Sequence, residues 1–346
     1  MSGLLDRRFI IVSGKGGVGR TTVAAAIARA AADAGKRVLV AQASAAERLG
    51  RLFGRFGPVG TDVVALAPGV DAVNMTPQSA LHQYGLMMLR SELVYRALFE
   101  NRAVRGFLGA IPGLDAYAML GKTWWHTTET ERGSNRPRYD LVILDGPASG
   151  HATLMLRIPG AILQAMPKGP LAGDARHMRA LLSDTARTAL VIATLPEELP
   201  VKETAELAAL ARTELKVPLG PVIVNAVPSD ALSGPEADAV LGPLGPASPG
   251  GADGLDATLR LAASLRSHRR VADEQLERLR RDPGGPLILL PRLPSADLGP
   301  ADVAVLAARI TAAEGSAPGV YTAPPPGSPA PAADADVVRQ SGPREP

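Results

Sequence analysis

The chain has 346 residues, 46% of them hydrophobic, no cysteine, and a formal net charge of +3 from 37 Lys and Arg against 34 Asp and Glu. That length suits one large α/β domain with an insertion, or two smaller domains, and the apolar content can bury a sizeable core. Disulfides, thiolate metal sites and cysteine nucleophiles are excluded, and a charge excess this small does not by itself point to nucleic acid.

The opening MSGLLDRRF lacks a signal-peptide apolar region, and no uncharged apolar run approaches 18 residues, so the reading is a cytoplasmic protein not integral to a membrane. The stretch around which the chain is organised follows at once. Phe9 to Val12 form an apolar run that stops at Ser13, and four glycines come within six positions, Gly14, Gly16, Gly17 and Gly19. Then Arg20, Thr21 and Thr22 lead into the alanine-rich Val23–Ala34, which reads as a helix. Strand, glycine loop and helix N-terminus are the context of a phosphate-binding loop, in which side-chain-free positions let backbone N–H groups converge on an anion. The spacing is that of G-x-x-x-x-G-K-[ST], with Arg20 in the lysine's place and Thr21 where the hydroxyl ligand of Mg²⁺ belongs.

Gly35 and Lys36 close the helix, and Arg37–Ala43 reads as a second buried strand. Short extended stretches are expected at Val63–Leu66 and Val70–Met75, a helical pattern from Pro77 to about Thr130, and a strong buried strand at Tyr139–Asp145. Three more strands are expected at Thr188–Thr194, Pro221–Asn225 and Pro286–Leu290, each followed by a helical pattern. This alternation predicts an α/β fold, a doubly wound and mostly parallel sheet with a helical insertion. The expected division is a nucleotide-binding domain over 1–76 and 131–315, a helical insertion over 77–130, and a proline-rich disordered tail over 316–346. Leu244–Leu255 reads as a loop, and Arg260–Arg281 as a helix with a basic side.

Asp145, at the tip of its strand, can hold Mg²⁺ through waters opposite the hydroxyl of a phosphate loop. It is followed by Gly146-Pro-Ala-Ser-Gly-His151. The loop Lys15-Gly-Gly-Val-Gly-Arg-Thr-Thr22 resembles the deviant Walker A loop, and the DGPASGH run resembles the switch segment of the arsenite-pump and tail-anchored-protein-targeting ATPases. Pro112-Gly-Leu114, Leu120-Gly-Lys122 and Trp124 fit the bacterial branch of that family. The resemblance implies that Gly14, Lys15, Gly16, Gly17, Val18, Gly19, Arg20, Thr21 and Thr22 cradle ATP, with Mg²⁺ on Thr21 and Asp145. It implies that Asn225 and Pro291-Arg292 flank the base, and that Lys15 reaches across a dimer interface to the partner's nucleotide. His151 would belong to a segment that moves with nucleotide state, or be a packed histidine.

Two departures fall on the chemistry. Arg20 replaces a compact ammonium with a planar guanidinium. Ser44 stands where relatives carry an aspartate that orients the attacking water, and removal of such a group commonly costs about 10²–10⁴ in rate. The expectation is therefore a degenerate member that binds ATP well and hydrolyses it slowly or only beside a partner subunit. The partner would be a second copy or a related chain. A non-hydrolysing regulatory subunit and a partition-type ATPase using Arg260–Arg281 on DNA remain as alternatives. With no cysteine, the arsenite ligands and the zinc clasp of relatives are missing. Leu86 to Leu89, Met119, Trp124 and Trp125 in the insertion read as core first, and second as a groove for a hydrophobic client helix or membrane-protein partner.

Overall fold

Strands of five residues in which every residue is buried, as at 9–13, 38–42 and 141–145, need cover on both faces, and the structure supplies it. The computed structural model describes residues 3–43, 48–89, 113–230, 237, 239, 254–283 and 285–315. In chain order the elements are β1 (Phe9–Ser13), α1 (Arg20–Asp33), β2 (Val38–Gln42), α2 (Leu49–Leu52), β3 (Val64–Ala67), β4 (Val70–Asn74) and α3 (Pro77–Leu89). There follow α4 (Leu114–Thr128), β5 (Leu141–Asp145), α5 (Ser149–Ala165), α6 (Pro170–Leu182), β6 (Thr188–Thr194) and α7 (Glu198–Leu210). The last described elements are β7 (Leu219–Val227), α8 (Gly254–Arg281), β8 (Leu287–Pro291) and α9 (Pro300–Glu314).

The eight strands form one sheet in the order β3-β4-β2-β5-β1-β6-β7-β8, parallel throughout except for β3, which runs antiparallel on the edge. This is the α/β architecture of a P-loop nucleotide-binding fold. Strand periodicity divides the core in two. Phe9, Ile11, Leu39, Val142 and Leu144 face a layer that includes Tyr84, Tyr117, Leu120, Met155 and Met178. Ile10, Val12, Val40, Leu141 and Ile143 face Ile27 of α1, Leu49 of α2 and Leu306 and Ile310 of α9. Neighbouring residues of one strand thus serve opposite layers, which is why the strands read as unbroken apolar runs.

The expected strands are all present, with ends shifted by a few residues. α1 begins at Arg20, directly on the glycine loop, because the last loop residue, Gly19, takes a left-handed φ of 87° and serves as its N-cap. The expected loop Leu244–Leu255 is corrected at its end, since Gly254 and Leu255 already belong to α8. Ser44, the span 90–112 and the expected tail 316–346 lie outside the described residues.

The helices of the expected insertion pack directly on the sheet layer. Gly121 of α4 sits against the Tyr84 ring of α3, where a Cβ would lie 2.6 Å from Cε2 and 3.1 Å from Met178 Cε. Tyr84 cannot swing away freely. Its hydroxyl donates to Asp174 at 2.9 Å, and its ring meets Tyr117 edge-on at 5.5 Å. Gly121→Ala gains helix propensity but overpacks a pinned ring, so it is expected to lower the unfolding free energy by about 1–2 kcal/mol. Urea denaturation checks this; a stabilised variant would show that the ring has room to move.

Candidate functional site

The glycine loop lies between β1 and α1 at the centre of the sheet's C-terminal edge, where open α/β sheets bind ligands. Gly14 has φ 149°, and a Cβ there would lie 2.1 Å from the Ala193 carbonyl of β6. A Cβ on Gly16 or Gly17 would meet nothing within 4 Å, so this part of the cradle is open. At Gly19 a Cβ would strike Asn225 Nδ2 at 2.2 Å. The loop is stitched to its neighbours: Ser149 N–H donates to Gly14 O at 3.0 Å, Gly146 N–H to Val12 O at 2.9 Å, and Ser13 Oγ to Pro147 O at 3.2 Å. The DGPASGH run therefore sits against the loop rather than merely following β5. Arg20 turns back through Nη1 to the Gly14 carbonyl at 3.3 Å.

Thr21 Oγ1 donates to Asp145 Oδ2 at 2.7 Å. Asp145 is only 2% exposed, with Val12 of β1 on one side and Gln42 of β2 on the other. Burial pushes its carboxyl up to about 6, against the opposing pull of the Thr21 hydroxyl, the Arg20 guanidinium and a hydrogen bond from Gln42. Burial in turn lowers the Arg20 guanidinium, and Asp145 opposes that shift. One hydroxyl and one carboxylate are hard oxygen donors that suit Mg²⁺, which keeps several waters and shares phosphate oxygens. Among the described residues no cluster of three or more His, Asp or Glu could hold a metal alone. The residues present thus fit a cation that arrives with a phosphate, and the open glycine cradle fits the phosphate.

Lys15 Nζ pairs with Glu203 of α7 at 3.3 Å, and Glu203 also accepts from Ser149 Oγ at 3.3 Å. Both partners of the ion pair are about 30% exposed, so it is worth at most about 1 kcal/mol. Asn225 stands near the end of β7, beside Ala226 with its unusual φ of 52° and within a register shift between Val224 and Val227. The bulge aims its amide at the loop, where Nδ2 donates to Val18 O at 3.0 Å. Pro291 pairs with Val227 across β7 and β8, and Arg292 N–H donates to Val227 O at 2.9 Å, which sets Pro291-Arg292 beside Asn225. His151 is exposed in the first turn of α5.

Sequence reasoning missed Glu203, and Gln42 as a partner of Asp145. The signal for Gln42 was its place at the tip of a strand adjoining β5. For Glu203 it was the helix after β6, which starts at the same sheet edge.

Residues 7–169 match the model of the family described as anion-transporting ATPases. The chain is a relative of the anion-transporting ATPases. It is 30% identical over 224 residues to ATPase BagA of Mycobacterium tuberculosis, across 63% of this chain and 64% of that protein. It is 28% identical over 222 residues to an arsenical pump-driving ATPase of Escherichia coli, across 58% of this chain and 37% of that protein. It is 29% identical over 168 residues to ATPase GET3 of Kluyveromyces lactis, across 46% of this chain and 48% of that protein. The chain thus spans less than two thirds of the length of each of these relatives. The resemblance carried by the glycine loop and the DGPASGH run is to this family, and the matched segment contains both.

The proton balance of Asp145 can be measured. Its folded-state pKa lies above the ordinary 3.8, so between pH 3.8 and 6 the folded chain binds more protons than the unfolded one. Stability therefore falls as pH rises through that window, and the cost of the buried charge is fully present above it. In the nucleotide-free protein, Asp145→Asn is expected to raise the unfolding free energy at pH 7.5 by about 1–3 kcal/mol, and by much less below pH 4. Destabilisation at pH 7.5 would mean that Thr21, Arg20 and Gln42 outweigh burial.

Proposed function

We propose that this chain is an ATP-binding, Mg²⁺-dependent nucleotide switch that acts as a dimer and hydrolyses ATP slowly, or only beside a partner subunit. The observation that carries the reading is the Thr21–Asp145 contact of 2.7 Å beneath an open glycine cradle, with Arg20 in the lysine's place. The loop N–H groups of Gly14 to Thr22 hold the phosphates, Arg20 supplies charge beside them, and Thr21 and Asp145 hold Mg²⁺. Mg²⁺ neutralises developing charge on the phosphates when bound. Before that, the Asp145 carboxyl must give up the Thr21 hydroxyl, and any proton it holds.

The Lys15–Glu203 pair supports a resting arrangement in which the loop lysine is parked within its own subunit. A contact worth at most about 1 kcal/mol is readily exchanged for a phosphate on the partner subunit. Arg20 and Ser44 would act on this chain's own nucleotide and Lys15 on the partner's, so the two functions can degrade independently. This favours pairing with a related subunit that keeps the lysine and the aspartate. The base would lie against Asn225 and Pro291-Arg292, with the Asn225 amide released from Val18.

Residues 77–130 are proposed as the helical insertion that answers to the nucleotide. Of its described side chains Tyr117 and Leu120 are fully buried, which favours core over client groove for α4, while Trp125 stays 36% exposed. On α8, Arg269 pairs with Asp273 and Arg280 with Glu277. That pairing supports a solvated face over a DNA-binding one. No described helix is long and apolar enough to cross a membrane.

Millimolar Mg-ATP is expected to raise the melting temperature of the intact chain, and Gly19→Val to abolish the rise, since its side chain would meet Asn225 and fill the cradle. Arg20→Lys combined with Ser44→Asp is expected to raise turnover by the isolated chain at least tenfold, about 1.4 kcal/mol of barrier. Lys15→Ala is expected to depress turnover by a mixed dimer while sparing ATP binding here. No thermal shift in the wild type would remove the nucleotide reading; brisk turnover by the unmodified chain would remove its degenerate, partner-dependent form.

A further inference from the structure

Lys122 of α4 is 5% exposed, yet it carries an ammonium that the nucleotide site does not use. Its Nζ donates to the Thr61 carbonyl at 3.2 Å, and Asp62 lies in the same turn. Burial lowers the lysine to about 8, with Asp62 opposing the shift. An ammonium held inside the protein by one carbonyl costs stability, and an apolar side chain of similar volume would cost less. The charge is therefore not explained by holding the fold together.

What it holds is more specific. Gly60, next to Thr61, accepts through its carbonyl from Asn74 N–H at 2.8 Å. Asn74 is the register partner of Gln42 between β4 and β2, and Met75 N–H donates to Gln42 O at 2.8 Å. Gln42 in turn hydrogen-bonds the Asp145 carboxylate. A second thread runs in parallel, since Thr123 Oγ1, one residue on from Lys122, reaches Met75 Sδ at 3.6 Å. Consecutive residues of α4 thus tie the helical layer to the end of β4, and the end of β4 is tied to the carboxylate proposed to hold Mg²⁺.

We propose that Lys122 is a positioning residue of the nucleotide site, whose ammonium straps the 60–62 turn to α4 so that events at Asp145 are transmitted through Gln42 and β4 to the helical layer. The proposal rests on the nucleotide reading above. It concerns transmission and not binding, so Lys122 sits outside the groups that touch ATP. Among the described residues, the charged or titratable groups that face it are Asp62 from the turn and His126 one turn on in α4. Burial lowers the His126 imidazole below its ordinary value, so it stays neutral across the range in which Lys122 titrates.

The test uses the full chain as wild type, Lys122→Met and Asp62→Asn, with three readouts: Mg-ATP affinity, melting temperature, and amide hydrogen exchange with and without Mg-ATP. In the wild type Mg-ATP should slow exchange in 114–128 at least tenfold. In Lys122→Met that slowing should vanish while Mg-ATP affinity stays within threefold and the melting temperature is unchanged or higher. A merely structural lysine would lower the melting temperature instead. The wild-type slowing should fade as pH rises past about 8. In Asp62→Asn it should fade at lower pH, because the carboxylate that favours the charged amine is gone. Full slowing in Lys122→Met, or none in a wild type that binds Mg-ATP, overturns the proposal. If the wild type binds no Mg-ATP, the nucleotide reading fails by itself. The strap is then judged without nucleotide, where Lys122→Met should speed exchange at 70–75 at least tenfold and unchanged exchange overturns it.

Discussion

Asp145 sits at the tip of β5 with 2% of its surface exposed, flanked by β1 and β2, and a carboxylate so placed must be satisfied on every side or give up its charge. The surrounding structure reads as the set of groups that satisfy it. Thr21 comes from the first turn of α1, Arg20 from the residue before, and Gln42 from β2. Two come from the head of α1 and one from β2, so the glycine loop that places α1 and the neighbouring strands β2 and β5 must all be in register for the site to exist. Their combined pull falls short of burial, and the carboxyl is held near 6. A divalent cation brought in on a phosphate would supply the missing positive charge.

The loops around this carboxylate are tied to one another more than to solvent. Gly14 O alone accepts from Ser149 N–H and from Arg20, and so joins the glycine loop to the segment after β5 and to the head of α1. Glu203 joins Lys15 to Ser149 and brings α7 into the same knot. Because these bonds are few and partly exposed, each is individually weak, and a bound anion can redistribute them without disturbing the buried strands. Arg20 has a particular place in this. A guanidinium folded onto its own loop carbonyl presents charge to the cradle from the side, with a geometry unlike that of an extended lysine.

Much of this was legible in the amino-acid sequence. The strands could be read because two-sided cover demands unbroken apolar runs, and the glycine loop because only glycine tolerates the φ of 149° at Gly14 and 87° at Gly19. Thr21 was read from the loop spacing and Asp145 from its place at a strand end, each within its own segment. These are local rules, written within a few residues of each feature. The family resemblance was legible for the same reason, since the loop and the DGPASGH run are each contiguous.

Tertiary structure alone decided the rest. Nothing local says that Glu203 should meet Lys15, 188 positions away by number, or that Asn225 should spend its amide on Val18; strand order brings them together. Gln42 is an unremarked polar residue until β2 is known to lie beside β5. The sequence places Lys122 only in a helical stretch, and the packing of α4 over the 60–62 turn shows it to be buried. The sequence determined which segments fold and where a phosphate can sit, because steric and hydrophobic rules act over one turn or one strand. Which distant side chain completes each charge was fixed by the sheet order, a property of the whole chain.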